Sequence, residues 1–392
     1  MIAPTRAAAL SRLAEFTPRM GRDYAAGRNA DPGPGTRRDV SELSPHLRHR
    51  LITEEEVLRA ALAQHTPSAA FKFVQEVFWR SYWKGYLELR PQMWADYRHW
   101  VADADPAVAA DAMAGRTGIA CFDAWAAELR DTGYLHNHVR MWFASIWIFT
   151  LRLPWVLGAE FFLAHLKDAD AASNTLSWRW VAGIQTPGRN YLARAANIAR
   201  YTNGRFNPVG ELDEHAAPLT EPGPPPPGAL PAADPTPAGR VALLLHEDDL
   251  SFWPEGVEVA GVGGLCFPGE RSIFGASPVA SAFTRAALDD ALASAAARIG
   301  APATPLVLEE VGAWARDLGV TDVVMPWSPV GWTASLLAEA ELDGIRLHRL
   351  RREWDDVSWP LARAGFFGLA KKIPGLLTRF RLIETSQGSL QL

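Results

Sequence analysis

The chain has 392 residues, 48% of them hydrophobic, and a formal net charge of −5. This length is enough for two domains of about 150 residues each. The acidic balance argues against a strong non-specific nucleic-acid binder but leaves room for a local basic patch. The two cysteines exclude a disulfide framework and a four-thiolate zinc or iron–sulfur site built from this chain alone. The 16 tryptophans indicate large aromatic surfaces, for packing or for stacking on planar ligands.

No segment predicts secretion or membrane insertion. The N-terminal residues lack the apolar core of a signal peptide. The apolar run from Met141 to Leu151 is too short to span a bilayer. We therefore expect a soluble, cytoplasmic protein with no membrane partner.

The first 215 residues show helical periodicity. Residues 1–30 predict one or two short helices, and residues 69–91 carry apolar side chains at helical spacing. Residues 91–116 predict irregular structure, and residues 117–133 predict a further helix.

Two hydroxyl residues precede a predicted helix. Ser44 followed by Pro45 is typical of a helix start, with the hydroxyl as N-cap. The N–H groups of such a start, together with Ser41, are suited to a diphosphate. The simpler interpretation is a capped surface helix.

Charged residues inside apolar segments raise two further questions. Glu76 and Arg80 lie at i and i+4, so they can form a surface ion pair; alternatively Glu76 lines a cavity together with Trp79. Arg140 lies beside the apolar run and needs a counter-charge if it is buried, which Asp168 or Asp170 can supply. That pair is either structural or part of a site.

The chain then becomes basic and afterwards rich in proline. Residues 188–208 carry four arginines and few acids, so this stretch either faces phosphates or is a solvated surface. Residues 216–239 are rich in proline and predict an extended, semi-rigid linker. The linker separates a helical domain, residues 1–215, from a second domain, residues 240–392.

The second domain alternates strands with helices, which is typical of an open, mostly parallel α/β sheet. Strands are predicted, in chain order, at residues 241–246, 257–266, 305–309, 321–326 and 345–350. The sequence contains no glycine-rich phosphate loop. His246 and the acids after it suggest either a metal site or a loop cap, and acids at a strand end more often cap a loop. We predict no metal.

Four motifs in residues 40–180 resemble the FAD-binding helical domain of the photolyase/cryptochrome family. They are SELSPHL (41–47), QEVFWRSYW (75–83), TGIACFDAWAAELRDTGYLHNHVRM (117–141) and DADAASNTLSWRW (168–180). The last two, at their separation, are specific to the family. The resemblance implies an all-helical FAD-binding domain, which in this chain is followed by the α/β domain.

The resemblance assigns cofactor-binding roles by motif. Ser41, Leu43 and Ser44 would hold the FAD phosphates. Asn137, Arg140, Asp168 and Asp170 would surround the isoalloxazine and the sugar, with Arg140 paired to Asp168, and Asn174 would face the flavin N5. An amide there can donate or accept a hydrogen bond as N5 changes protonation.

The resemblance also assigns catalytic roles. Glu76, Trp79, Met141 and Trp180 would form the pocket for a flipped pyrimidine pair. Photolyases are a well-known example of enzymes that turn a base out of the duplex, so this pocket is a property of the family. Trp178 and Trp155 match the first two members of an electron-transfer tryptophan chain. Trp94 and Trp100 are candidates for the third.

The sequence departs from the family at several points. Val40 and Glu42 replace the usual threonine and arginine, and His138 replaces an arginine. Leu176 and Ser177 replace two glycines. The α/β segment follows the helical domain although the family places it first, so our hypothesis is a circularly permuted member.

The sequence therefore predicts an FAD-dependent, light-driven DNA repair enzyme acting on damaged DNA. The alternative is a cryptochrome-like photoreceptor that binds FAD and signals to a protein partner. A third interpretation is a flavin-binding remnant without either activity. The lesion and any antenna pigment are not determined, although the lack of an obvious histidine pair favours a cyclobutane dimer over a 6-4 product.

Overall fold

In this computed structural model, residues 3–340, 342 and 344–384 are described. The first region is helical, and its α-helices in chain order are α1 Arg6–Phe16, α2 Arg22–Gly27, α3 Ser44–Arg48, α4 Glu54–Gln64, α5 Pro67–Glu88, α6 Gln92–Asp103, α7 Ala110–Ala114, α8 Ala120–Thr132, α9 Asn137–Ser145, α10 Trp155–His165, α11 Ala171–Ala182 and α12 Ala195–Tyr201. A π-helical turn, Ile146–Thr150, continues α9.

Local capping explains where two of these helices begin. Thr53 accepts a hydrogen bond from the Glu56 backbone, and the Glu56 carboxylate accepts one from Thr53, a reciprocal capping box that starts α4. The Thr66 side chain caps α5, which has Pro67 at its first position.

Two predictions for this region are wrong in detail. Leu43 is the cap residue of α3, and Ser44 is already the first helical residue. The helix that begins there ends after five residues, and the separately capped α4 follows it. Residues 91–116 are largely helical because α6 and α7 occupy them, and α6 buries Met93, Trp94, Tyr97 and Val101 in the core.

The second region is a five-stranded parallel sheet with the order β3-β2-β1-β4-β5. Its elements in chain order are β1 Arg240–His246, β2 Glu258–Leu265, α13 Pro278–Ile299, β3 Ala303–Pro305, α14 Val311–Asp317, β4 Asp322–Pro326, α15 Trp332–Ala338 and β5 Arg346–Leu350. Six of the seven residues of β1 are buried, as expected for a central strand covered on both faces.

One strand differs from its prediction. The sequence placed it at residues 305–309, but β3 ends at Pro305, and Leu308–Glu310 form a 3₁₀ turn instead. Proline has no N–H to donate to a neighbouring strand, so it suits the end of a short edge strand.

Three further helices follow the sheet: α16 Glu353–Ser358, α17 Phe366–Ala370 and α18 Ile373–Arg379. The buried side chains of Trp354, Phe366, Leu369, Ile373 and Leu377 belong to the hydrophobic core of the helical region. In the sequence analysis, this segment is assigned to the α/β domain, residues 240–392. It returns across the molecule and packs on α5.

A seam of buried ion pairs joins the two regions. Arg48 contacts Asp248 at 2.6 Å, and Arg50 contacts Asp249 at 3.2 Å. Arg50 also makes two bonds of 2.7 Å to Asp355 of α16. The acids after β1, considered as a loop cap or a metal site, therefore bind arginines of the helical region. Among the described residues, no cluster of His, Cys, Asp and Glu is arranged to hold a metal.

The proline-rich linker is docked against both regions. Gly228 donates its N–H to the Leu89 carbonyl at 2.7 Å, and Arg351 donates to the Pro231 carbonyl at 2.9 Å. Within the described part of the chain, no helix is long and apolar enough to cross a membrane.

Candidate functional site

The two ends of the motif-bearing stretch meet in a buried ion pair. Arg140 on α9 donates from Nη2 to Oδ2 of Asp168, just before α11, at 2.9 Å. Burial acts to raise the pKa of Asp168, but Arg140 outweighs it and the pKa is lowered. The predicted pair is present, and its carboxylate is ionised.

The Asp168 cluster comprises Asp168, Arg140 and Arg80. It contains buried polar atoms that form no hydrogen bond with the described residues. Oδ1 of Asp168 and Nη1 of Arg80 are both buried, and neither has a hydrogen-bond partner among the described residues. Arg80 acts on Asp168 and Asp170 through its charge. Unpaired buried polar atoms are rare and costly, which indicates a place for a polar ligand.

Asp170 has a clear structural contact. It caps α11 by accepting a hydrogen bond from the Ser173 N–H at 2.7 Å, and Lys84 lies 3.6 Å away. Burial opposes ionisation, but Lys84 and nearby arginines lower the pKa of Asp170. A small cavity of about 10 Å³ adjoins this residue, lined also by Arg48, Lys84, Ala171, Ala172, Asp248 and residues 329–333.

Asn174 lies one turn into α11 and is buried. Its Nδ2 donates to the Ala159 carbonyl at 2.9 Å, which holds the amide in place. With its nitrogen bonded in this way, the amide presents its oxygen as an acceptor. By contrast, Asn137 at the start of α9 is exposed.

The segment predicted to hold phosphates is anchored from α1. Arg12 donates to the carbonyls of Val40 and Ser41, at 3.1 and 2.9 Å. The Ser41 hydroxyl accepts the Leu43 N–H at 3.3 Å, and Leu43 itself is buried. Ser44 is also a neighbour of Asp168, whose pKa its hydroxyl helps to lower.

Glu42 carries a negative charge where the resemblance places an arginine. Its φ of 54° is left-handed, which is uncommon for a residue with a side chain. The carboxylate lies 4.0 Å from Arg37, but Arg37 is bonded more closely to Asp31 at 2.7 Å and to Glu128 at 2.6 Å. The negative charge in the phosphate segment is therefore only weakly compensated.

On α5, the expected pair between Glu76 and Arg80 is not present. Glu76 instead has Arg28 at 3.8 Å. Loss of water around Glu76 raises its pKa, although Arg28 and Lys72 oppose this. The Glu76 side chain nevertheless remains 39% exposed, so water still reaches the carboxyl group.

Trp79, one turn after Glu76, is stacked on Phe366 of α17. Their ring centroids are 3.7 Å apart, and the planes are 11° from parallel. One face of the indole is therefore covered by the C-terminal segment. Sequence reasoning missed Phe366 because it lies beyond the linker, where no local pattern points back to α5.

The other two residues predicted for the pocket are on α9 and α11. Met141 and Trp180 are both partly buried, and Trp180 is stacked on Tyr191 with centroids 5.7 Å apart. Since α11 packs against both α5 and α9, the three helices that carry the four residues are neighbours.

The tryptophan line, meaning Trp178, Trp155 and Trp100, lies on α11, α10 and α6, and α10 packs against the other two helices. Trp178 is buried, with Trp147 and Phe162 against it edge to face. Trp155 donates its indole N–H to Glu221 of the linker at 3.0 Å. The ring of Trp100, which is partly exposed, lies 6.2 Å from that of Trp155.

Of the two candidates for a third tryptophan, the structure therefore brings Trp100 into contact with Trp155. Trp94 is stacked instead on Tyr97, with centroids 5.3 Å apart. The contact of Glu221 with Trp155 was not foreseen, because the linker carries no signal of where it docks.

The basic stretch is largely exposed. Arg189, Arg194 and Arg200 lie on the surface, and Arg205 pairs with buried Asp31 at 3.2 Å. Tyr191, which is stacked on Trp180, belongs to the same stretch. This surface therefore adjoins one of the residues predicted for the pocket.

Comparison with known proteins gives a match centred on these helices. Residues 73–213 match the family model of the FAD binding domain of DNA photolyase. The matched range contains the Asp168 cluster, Asn174 and the tryptophan line, and it identifies FAD as the cofactor of this region.

Curated relatives match the same part of the chain. A deoxyribodipyrimidine photo-lyase of Streptomyces griseus is 36% identical over 172 residues, covering 43% of this chain and 36% of the relative. The proteins of the same name from Agrobacterium fabrum and Escherichia coli are 34% and 27% identical, covering 46% and 47% of this chain. The match spans well under half the length of each of these relatives, 36%, 38% and 40%.

Two solved structures are similar over about half of the chain. A bacterial class III photolyase from Agrobacterium tumefaciens has 28% identity and a TM-score of 0.44, covering 51% of this chain and 43% of that one. A Synechocystis cryptochrome has 22% identity and a TM-score of 0.45, with the same two coverages.

Proposed function

We propose that this chain, whose helical region belongs to the photolyase/cryptochrome family, carries FAD at the Asp168 cluster and uses it for light-driven repair of DNA. The observation that carries the proposal is the pair of buried, unpaired atoms, Asp168 Oδ1 and Arg80 Nη1, within an aromatic core. Other buried atoms of the described chain also lack a partner, but here a carboxylate oxygen and a guanidinium nitrogen occur together among the motif residues, a combination that suits a polar ligand.

The donors and acceptors of the cluster fit an isoalloxazine. A flavin ring presents both N–H and carbonyl edges, which the Asp168 oxygen and the Arg80 guanidinium complement. The Asn174 oxygen supplies a neutral acceptor that does not repel a reduced, anionic flavin. When bound, FAD supplies the photoexcited electron, and these residues hold and orient the ring.

The phosphates would lie on the segment from Ser41 to Ser44. Arg12 fixes its backbone, so the Ser41 and Ser44 hydroxyls and the Leu43 N–H are held at a defined place. The Glu42 carboxylate would repel a diphosphate and counts against this assignment, because Arg37 is bonded more closely to Asp31 and Glu128 than to Glu42. The cavity at Asp170, about 10 Å³, has room for about one water molecule, so we expect the neighbouring loop, residues 327–331, to move when FAD binds.

The substrate would be a pyrimidine pair turned out of the duplex. The partly exposed indoles of Trp79 and Trp180 are suited to stacking on the bases, and Met141 would complete an apolar wall. The Glu76 carboxyl group would form a hydrogen bond with the polar edge of a base. A cyclobutane dimer is the lesion we favour.

Exposed arginines support DNA as the partner. Arg189, Arg194 and Arg200 adjoin Tyr191 and through it Trp180. Such a patch can bind backbone phosphates although the chain as a whole is acidic.

Trp178, Trp155 and Trp100 would carry electrons from the surface to the flavin. The exposure of Trp100 gives the line an end in solvent, where a reductant can reach it. Glu221 accepts the indole N–H of Trp155, so its carboxylate would stabilise positive charge on that ring.

The order of the regions supports a circular permutation of the family architecture. The parallel sheet docks on the helical region through the Arg48 and Arg50 ion pairs, and α17 packs on α5. A sheet that faced away from the helical region would have argued against this hypothesis.

A photoreceptor that binds FAD and signals to a protein partner is the second candidate. The stacking of Phe366 on Trp79 favours it, because this contact removes one of the aromatic faces available to a flipped base.

Light-dependent repair separates the two candidates. The protein is purified with FAD, reduced under blue light and incubated with an oligonucleotide containing one thymine dimer. Loss of the dimer in light but not in darkness is the expected result. A photoreducible flavin without dimer loss would favour the photoreceptor, and failure to bind flavin would contradict both.

A further inference from the structure

The C-terminal segment carries cations without acids. Residues 357–383 contain Arg363, Lys371, Lys372, Arg379 and Arg381 but no aspartate or glutamate, in a chain whose net charge is −5. Arg379 is paired with Glu353 at 2.9 Å. Arg363, Lys371 and Lys372 are exposed.

An exposed aromatic lies among these cations. Phe367 is 76% exposed, the largest exposure among the exposed large hydrophobic side chains of the described chain. The Lys371 N–H donates to the Phe367 carbonyl, so the two residues lie one turn apart on the same face of α17. The opposite face of α17 is buried through Phe366, Leu369 and Ala370.

This face adjoins the proposed substrate pocket. The Phe367 ring is 6.3 Å from Phe366, which is stacked at 3.7 Å on Trp79. The Ala364 carbonyl accepts a hydrogen bond from Tyr82 of α5 at 2.9 Å, which fixes the start of the segment. The position of Phe367 relative to Trp79 is therefore set by packing.

We propose that Arg363, Phe367, Lys371 and Lys372 form a DNA-binding rim beside the pocket, with the cations on backbone phosphates and Phe367 against an exposed base. The inference rests on the proposed function. Adjacent cations without acids match a polyanion, and an aromatic ring can occupy a stack that base flipping has opened. A membrane surface fits less well, because α17 has five residues and exposes one large apolar side chain.

Binding measurements test the rim without requiring bound flavin or activity. Fluorescence anisotropy gives the affinity of the full chain for a duplex with one thymine dimer and for its undamaged counterpart, between 50 and 200 mM salt. The double variant Lys371→Gln/Lys372→Gln should reduce the slope of log affinity against log salt by about 1.8, and Lys371→Arg/Lys372→Arg should keep it. Phe367→Ala should weaken binding to the dimer duplex about tenfold with no change of slope.

Matched controls lie in the sheet region. Arg285→Gln removes an exposed cation from α13, and Val307→Ser removes an exposed apolar side chain; neither should change affinity. If the double glutamine variant kept the wild-type dependence of affinity on salt, the rim proposal would be overturned. The proposed repair function would not be affected by this result. If the double glutamine variant lost binding to anionic phospholipid vesicles but bound DNA as the wild type does, the rim proposal would be overturned in favour of a membrane surface. Wild-type protein that binds the duplex but repairs nothing would contradict the proposed function. The salt dependence of binding by the lysine variants would still test the rim.

Discussion

Buried charges occur in two places in this molecule, and they are satisfied to different degrees. At the seam between the regions, both oxygens of Asp248, Asp249 and Asp355 are bonded to arginine or serine side chains. At the candidate site, Asp168 uses one oxygen and leaves the other without a partner among the described residues. The seam is not fully satisfied either, since Nε of Arg50 has no hydrogen-bond partner among the described residues. Of the four carboxylates compared, however, that of Asp168 leaves an oxygen unpaired, and this oxygen indicates a place for a ligand.

The largest expected effect is at the seam. Asp355→Asn removes the charge that pairs with Arg50 while keeping the shape of the side chain, and it should lower the free energy of unfolding by about 3 kcal/mol. Flavin bound per folded chain should not change. Urea denaturation and flavin absorbance measure the two quantities, and loss of flavin from the folded variant would mean that the seam and the site are not separate.

The matched change at the candidate site should affect flavin binding more than stability. Asp168→Asn should weaken flavin binding by about tenfold to a hundredfold, because a hydrogen bond to a charged group is lost. Arg140 is partly exposed, so water can solvate it and the stability loss should be smaller than for Asp355→Asn. Isothermal titration with FAD checks the affinity, and undiminished binding would remove Asp168 from the site.

A third test uses pH at the contact between α5 and the β4–α15 loop. Glu88 is buried and accepts hydrogen bonds from the Val330 N–H and the Trp327 indole. Burial raises its pKa to about 7, although these bonds and Arg351 oppose the shift and Asp355 adds to it.

Because the folded pKa lies above the unfolded one, folding favours protonated Glu88. Its contribution is fully present below about pH 4.5 and is lost as the pH rises to about 7. The unfolding free energy of the wild type should therefore fall by about 3 kcal/mol over this range relative to Glu88→Gln. Parallel pH profiles would contradict the assignment.

The smallest effects on stability and on flavin binding are expected for the tryptophan line, where the changes should act on photoreduction instead. Trp178→Phe should slow photoreduction of the flavin strongly but spare repair by enzyme that is already reduced. Trp100→Phe should slow photoreduction less, because Trp155 can still be oxidised. Trp94→Phe is the control, since its ring is stacked on Tyr97 instead. Absorbance under blue light follows each, and equal rates for Trp178→Phe and wild type would exclude the relay.

Local patterns predicted much of this architecture. The helical periodicity of α5 and the alternation of strands and helices in the second region led to the correct fold class. The motifs also gave the Arg140–Asp168 pair. These features depend on neighbouring residues or on a recognisable motif.

The contacts that sequence reasoning missed join distant parts of the chain. Phe366 on Trp79 and Glu221 on Trp155 depend on where the C-terminal segment and the linker dock. The Glu76–Arg80 pair that helical spacing permits does not form, and Arg28, just after α2, approaches Glu76 from outside α5 instead. Helical spacing permits a pair, but tertiary packing decides whether it forms.

Titration of purified wild-type chain with FAD tests the central claim most directly. The open hydrogen bonds at Asp168 and Arg80 predict one flavin per chain, together with a rise in the melting temperature as FAD is added. A wild-type chain that folds, keeps its seam and binds no flavin would contradict the account.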